Sequence, residues 1–168
     1  AFISGSILHM AVPLHRNDWK KLDDEEGVMA ALRRAGAVAG NYMVPAADPQ
    51  RMKDPAFLQK LAEGPSGVIT IRPPGPISMG PYLLRQLVFH LIVSIVVAYL
   101  LSRTLGAGTE YLQVFRVGGT AALLAYIAAI FPEVIWYSHP GHYVIGKVID
   151  GLVWGLLTAG SFAGFWPD

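Results

Sequence analysis

Long apolar runs with few or no charged side chains alternate with polar segments along this chain. Four such runs are present, at residues 1–14, 82–104, 111–131 and 143–166. An α-helix rises 1.5 Å per residue, so about 20 apolar residues cross the roughly 30 Å hydrocarbon core of a bilayer. The last three runs have this length, and each therefore predicts a complete transmembrane helix.

The first run, residues 1–14, is shorter than a complete span. Fourteen helical residues cover only about 21 Å. We interpret this run as the C-terminal part of a transmembrane helix whose earlier residues are missing. A short interfacial or re-entrant segment is the alternative interpretation.

The ends of the longer runs carry the residues expected at helix termini and membrane interfaces. Pro81 stands where a first helical residue would be, and Arg85 and Arg103 bracket an uncharged stretch. Pro132 predicts an interruption or kink at the end of the third span. Tyr143 and Trp166 frame the fourth, as aromatic residues do at headgroup level.

The polar segment between the first two runs has local order of its own. Acidic residues at 23–26 and a later Gly36 frame one short predicted helix, and Asp54-Pro55 begins another. Residues 41–44 and 68–71 are short β-prone runs that could pair with each other. Such a pair would be marginal alone and would need a cover.

These patterns together predict the fold class. It is a membrane all-α bundle with three complete transmembrane helices and the end of a fourth at the N-terminus. Residues 15–81 form a small α+β extramembrane insert between the first two spans. Charged residues cluster in this insert, which indicates that the insert lies in water and the apolar runs lie in hydrocarbon.

Composition narrows the function classes. Of the 168 residues, 53% are apolar and only 15% are charged, against about 25% in an average soluble domain. A net charge of +1 without a basic stripe argues against nucleic acid as a partner. The chain contains no cysteine, which excludes disulfides and thiolate chemistry. No catalytic motif is recognisable, so we expect neither enzymatic activity nor a bound cofactor.

Positive charges near the span ends predict the orientation. The bias toward the cytoplasm places the insert there and the C-terminus in the periplasm of a bacterial inner membrane. The side of the insert carries Arg16, Lys20, Lys21, Arg72 and Arg85, and the other side carries Arg103 and Arg116.

Between the aromatic belts, the ionisable residues fall in the half of the membrane on the side of the insert. They form a predicted polar cluster of His90, Glu133, His139, His142, Lys147 and Asp150. Lys147 and Asp150 are three residues apart and can meet on one helical face. Intramembrane charges either pair structurally or mark a functional site. Because the cluster is shallow, we favour the structural interpretation over a proton or ion relay.

Two histidines invite a haem hypothesis. His9 and His90 lie at similar predicted depths on different helices, as bis-histidine ligation requires. A membrane histidine more often makes an interhelical hydrogen bond, which is the interpretation we prefer. No other metal site is predicted, because the well-known zinc patterns are absent.

Small residues recur at helical spacing on two of the predicted spans. Such stripes let helix backbones approach closely. They could serve internal packing or docking onto another protein, while the remaining apolar faces suit lipid, pigment tails or the apolar flank of a partner. The stripes comprise Gly118, Ala122, Ala125 and Ala129 on the third span, and Gly151, Gly155, Ala159 and Ala163 on the fourth.

Three segments resemble a group of small uncharacterised bacterial multi-pass membrane proteins. They are Leu-His9-Met-Ala-Val-Pro-Leu-His15-Arg-Asn-Asp18, Asn41-Tyr-Met-Val-Pro45, and the stretch from Ile149-Asp-Gly-Leu152 to Trp166-Pro167. The resemblance covers most of the chain. It implies a membrane topology and no catalytic residues.

The functional expectation follows from these features. We expect a non-catalytic accessory or scaffolding subunit of a larger membrane assembly, such as a photosynthetic or respiratory complex. Its partners would be membrane lipids and other integral membrane subunits. One alternative is a small oligomeric transporter or channel that uses the polar cluster, and another is a haem-binding electron carrier through His9 and His90.

Overall fold

A computed structural model describes residues 1–10, 12–46 and 48–168. Ala11, Ala47 and the side chain of Met10 lie outside this description. The predicted first span, residues 1–14, therefore includes one position outside the described residues. The chain separates into two compact units, one formed by Ala1–Lys20 with Ser78–Asp168 and the other by Lys21–Ile77.

The described residues are mostly helical. In chain order they form α1 (Phe2–Met10), α2 (Glu25–Arg34), β1 (Gly40–Val44), α3 (Pro55–Glu63), β2 (Gly67–Ile71), α4 (Met79–Thr104), α5 (Tyr111–Ile127), α6 (Ile130–Tyr137) and α7 (Gly141–Gly164). Two 3-10 turns at Pro13–His15 and Arg51–Lys53 complete the order.

Three helical stretches are long and apolar enough to cross a membrane. They are Met79–Thr104, Tyr111–Tyr137 and Gly141–Gly164, with mean hydropathies of 2.0, 1.8 and 1.3. These stretches correspond to the three complete spans that the apolar runs predict. The prediction of a helical protein with three such stretches and a small two-stranded sheet is confirmed.

Two prolines set helix ends that differ from the predicted ones. The stretch predicted to end at residue 131 continues to Tyr137 but breaks after Ile127. Pro132 lacks an N–H and its ring clashes with the carbonyl four residues earlier, which places the break near residue 128. At the N-terminus, α1 ends at Met10 rather than at residue 14, and Pro13 instead begins a 3-10 turn.

Helices α5 and α7 pack antiparallel through small residues. Gly119 faces Ala159, Leu123 faces Gly155, and Ile127 faces Gly151. Contacts thus advance by four residues along one helix and retreat by four along the other. Because Gly151 and Gly155 on α7 and Gly119 on α5 lack a Cβ atom, the two backbones approach closely enough for extensive dispersion contacts.

Helix α4 joins this pair through one narrow strip. Its buried residues are His90, Val93, Val97 and Leu101. They recur at intervals of three or four and therefore share one helical face. On α5, Gly118 receives this strip, because an added Cβ there would lie 3.3 Å from Leu101 Cδ1.

Hydrogen bonds from the C-terminal segment hold the connection between α4 and α5. The indole Nε1 of Trp166 donates to the carbonyl oxygen of Gly106 at 2.9 Å. The backbone N–H of Gly108 donates to the carbonyl oxygen of Pro167 at 3.0 Å. These bonds satisfy backbone groups in the connection between α4 and α5 that the helices leave unpaired.

The unit Lys21–Ile77 is small and thinly packed. Strands β1 and β2 pair antiparallel, with Tyr42 opposite Ile69 at the centre. Asp54 accepts a hydrogen bond from the Ala56 N–H and so caps α3. Among the described residues of this unit, Phe57 is the single buried side chain. The unit therefore has little core of its own.

Candidate functional site

The most unusual polar group in the helical unit is the carboxylate of Asp150. It lies on α7, where residue 150 is 1% exposed among otherwise small or apolar buried neighbours. A buried carboxylate is costly unless cations or hydrogen-bond donors compensate its charge. Its neighbours therefore define the candidate site.

His15 makes the closest contact with this carboxylate. Its Nε2 atom lies 3.2 Å from both Oδ1 and Oδ2 of Asp150. Its other ring nitrogen, Nδ1, lies 2.8 Å from Oδ2 of Asp18. Gly146 leaves room for the ring, since a Cβ at that position would lie 3.1 Å from His15 Cε1.

His9 approaches the same carboxylate from α1. Its Nε2 atom lies 3.8 Å from Asp150 Oδ2, and its Nδ1 atom lies 3.1 Å from the carbonyl oxygen of Gly5. The rings of His9 and His15 stack with centroids 4.2 Å apart. One ligand atom from each of His9, His15 and Asp150 lies within 4.8 Å of the other two.

Lys147 supplies a formal positive charge at the edge of the group. Its Nζ atom lies 4.0 Å from Asp150 Oδ2 and 5.6 Å from the ring centroid of Tyr143. The lysine side chain is 31% exposed, so its ammonium group remains partly hydrated. It contributes a loose ion pair rather than a hydrogen bond.

A break in the N-terminal helix explains why two histidines converge. In one continuous helix, His9 and His15 would point to different faces. The helix ends at Met10, and the turn Pro13–His15 brings the second ring against the first. Helix α1 runs antiparallel to α7, with Gly5 near Trp154 and His9 near Asp150.

The predicted polar cluster is divided by the structure. Lys147 and Asp150 meet as predicted, at ion-pair distance. His139 stacks on Tyr143 with centroids 4.6 Å apart, and Nε2 of His142 lies 2.8 Å from the carbonyl oxygen of Asn17. Glu133 is exposed on α6. His15, which the predicted cluster did not include, lies 3.2 Å from Asp150, and Asp18 contacts the other ring nitrogen of His15.

His90 belongs to a different group. Its Nδ1 atom lies 3.1 Å from the hydroxyl of Tyr126, and its Nε2 atom lies 3.1 Å from Nε2 of Gln86. The ring of Trp154 meets it edge-on at 4.9 Å. Both ring nitrogens thus have partners within the protein. This arrangement gives no support to haem ligation by His9 and His90, which stays a prediction.

The small-residue stripes also divide. On α7, Gly151, Gly155, Ala159 and Ala163 are all buried. On α5, Gly118 and Ala122 are buried. Ala125 and Ala129 are exposed, and Ala129 lies beyond the end of α5. The stripe on α7 therefore serves internal packing against α5.

One signal in the sequence could have indicated the missed residues. His15 and Asp18 are three residues apart, a spacing at which a carboxylate can hold an imidazole in a helical turn. Their partner Asp150 is 135 residues from His15, and no local pattern predicts that contact.

No protein-family model, curated protein or solved structure matches this chain.

Proposed function

We propose that this protein is an integral membrane protein that acts as a non-catalytic accessory subunit of a larger membrane assembly. The observation that carries the proposal is the outward face of α4. Ile92, Ile95, Val96 and Tyr99 on this face are exposed, Ile95 by 67%. A continuous apolar face of this size is costly in water and suits hydrocarbon or an apolar partner.

The narrow attachment of α4 supports a partner in addition to lipid. The helix has 26 residues, and its buried side chains lie on a single strip. Most of its circumference is therefore available to a second protein within the bilayer. The small-residue stripe of α7 adds no support, because α5 already occupies it.

The thin unit Lys21–Ile77 supports the same proposal independently. Val38, Met43 and Val44 are exposed around its two-stranded sheet. A two-stranded sheet is marginal without a covering surface. A partner subunit that covers these side chains would stabilise the unit, and the charge bias of the span ends favours a cytoplasmic location for it.

Site-specific photocrosslinking tests the proposal. A benzophenone amino acid replaces Ile95 on the outward face of α4, with Leu156 on an exposed face of α7 as the matched control position. In native membranes we expect a discrete protein adduct from position 95 and only lipid adducts from position 156. A mildly solubilised native gel should show a species well above 18.2 kDa. Migration alone, with lipid adducts from both positions, would contradict the subunit proposal.

A further inference from the structure

We infer that His9, His15 and Asp150 form a binding site for a divalent first-row transition metal ion. The three residues offer two imidazole nitrogens and one carboxylate, with ligand atoms within 4.8 Å of one another. Two histidines and one carboxylate are a recurrent ligand set for Zn²⁺ and Fe²⁺ in proteins. The inference is independent of whether α4 docks onto a partner.

The hydrogen bonds behind the two histidines match those of metal ligands. Imidazoles that bind metals usually donate their second N–H to a carboxylate or a backbone carbonyl. Here Nδ1 of His15 is 2.8 Å from Asp18 Oδ2, and Nδ1 of His9 is 3.1 Å from the Gly5 carbonyl oxygen. These contacts favour the tautomer in which both Nε2 atoms carry a lone pair toward Asp150.

In that tautomer the Nε2 lone pairs of both histidines face the carboxylate oxygens of Asp150, and neither side offers a hydrogen. An ionised carboxylate and an unprotonated Nε2 atom can both only accept hydrogen bonds. Oδ2 of Asp150 is buried and accepts no hydrogen bond of acceptable geometry from a described residue, although His15 Nε2 is 3.2 Å away. A cation among these atoms removes the conflict. A metal ion does so while Nδ1 of His15 still donates to Asp18 Oδ2.

Binding requires the His9 ring to move and turn, because the two imidazole rings are stacked at an interplanar angle of 18°, whereas a metal ion lies near the plane of each imidazole that binds it. Ligand atoms in a tetrahedral site with bonds near 2.1 Å lie about 3.4 Å apart. His15 Nε2 and Asp150 already meet at 3.2 Å, and His9 Nε2 is 3.8 Å from Asp150 Oδ2. The side chain of His9 is 41% exposed and can move the remaining distance. Three protein ligands leave a fourth position open to water or another small ligand.

Lys147 acts as the alternative cation. Its ammonium group is 4.0 Å from Asp150 Oδ2 and would be repelled by a bound metal. Because its side chain is partly exposed and lies over the Tyr143 ring, it can withdraw toward the surface. Loss of this charge in Lys147→Met should therefore leave metal affinity unchanged or raise it.

Cobalt titration of the full chain tests the site. The protein is purified in detergent with an affinity tag that contains no histidine, treated with chelator and titrated with Co²⁺. We expect one Co²⁺ per chain and visible absorption bands from a nitrogen and oxygen ligand field. His9→Gln and Asp150→Asn should each weaken binding by more than about 100-fold, since even an outer partner contributes about 10–100-fold.

His139→Gln is the matched control, because that histidine lies against Tyr143. It should leave the titration unchanged. If Asp150→Asn fails to fold, His9→Gln decides the question, since His9 is exposed on a short helix. Absence of saturable Co²⁺ binding, or equal affinity in wild type and His9→Gln, would overturn the inference. The cluster would then be a polar network that ties α1 to α7.

Asp18 has a positioning role in this site. Asp18→Asn should weaken Co²⁺ binding by about 10–100-fold and still allow the same visible bands at saturation, because the ligands themselves remain. A purely structural role would instead lower thermal stability with no change in affinity. Asp48→Asn, in the other unit, is the matched control.

Discussion

The Nδ1 atom of His90 on α4 lies 3.1 Å from the hydroxyl of Tyr126 on α5. Both side chains are buried. This is a direct polar contact between two helices whose other shared surface is mainly aliphatic. Because a buried ring nitrogen and hydroxyl lose water on folding, each gains from the other's presence.

Removal of this hydroxyl should loosen the attachment of α4. We expect Tyr126→Phe to lower the free energy of unfolding by about 0.5–1.5 kcal/mol, since the His90 ring loses a partner. Thermal unfolding in detergent measures the change. Tyr99→Phe, at an exposed position on α4, should have no effect. Equal changes in the free energy of unfolding of the two variants would show that the contact between His90 and Tyr126 makes no net contribution to stability.

Close packing between α5 and α7 should be sensitive to a single methyl group. A Cβ at Gly151 would lie 2.5 Å from Ile127 Cγ1 and 3.4 Å from the Tyr126 carbonyl oxygen. We expect Gly151→Ala to destabilise the helical unit by about 1–3 kcal/mol, as overpacking does in well-packed cores.

Gly164→Ala is the matched control on the same helix, because an added Cβ there meets no atom within 4 Å. Unfolding midpoints of both variants in detergent should separate them. If Gly151→Ala were as stable as the control, the claim that α5 and α7 pack too closely for an added methyl group would be wrong.

The proposed orientation can be read from single cysteines, because the chain contains none. We expect Asp168→Cys to react with a membrane-impermeant maleimide in intact cells, after permeabilisation of the outer membrane. Ser66→Cys, exposed in the other unit, should react only after lysis. The reason is the excess of Lys and Arg at the span ends on the side of the insert. The reverse pattern would invert the topology.

Local rules predicted the small unit well. Asp54 caps α3, as the Asp54-Pro55 pair predicts, and Gly64 ends the helix with a φ of 62°. The pairing of residues 41–44 with 68–71 also appears, in β1 and β2. The helix ends depend on side chains within a few residues, and the strands depend on two short β-prone runs, so the sequence alone indicates both.

The candidate metal site was harder to predict because it depends on contacts between distant elements. The three-residue spacing placed Asp150 with Lys147, and the two lie at ion-pair distance, but depth in the spans did not place Asp150 with His15. A helix drawn to residue 14 turns His15 away from His9. Only the break before Pro13 and the space at Gly146 bring that ring to α7. No local sequence pattern predicts the direction of the chain after this break or the packing of α1 against α7.

The one-sided attachment of α4 has a consequence for sequence change in related chains. Substitutions among Ile92, Ile95 and Val96 touch none of the buried strip, so they should leave the internal α5–α7 contact undisturbed. A new membrane neighbour could therefore be acquired through this outer surface alone. The residues that maintain the fold and the residues that select a neighbouring protein would then evolve at separate rates.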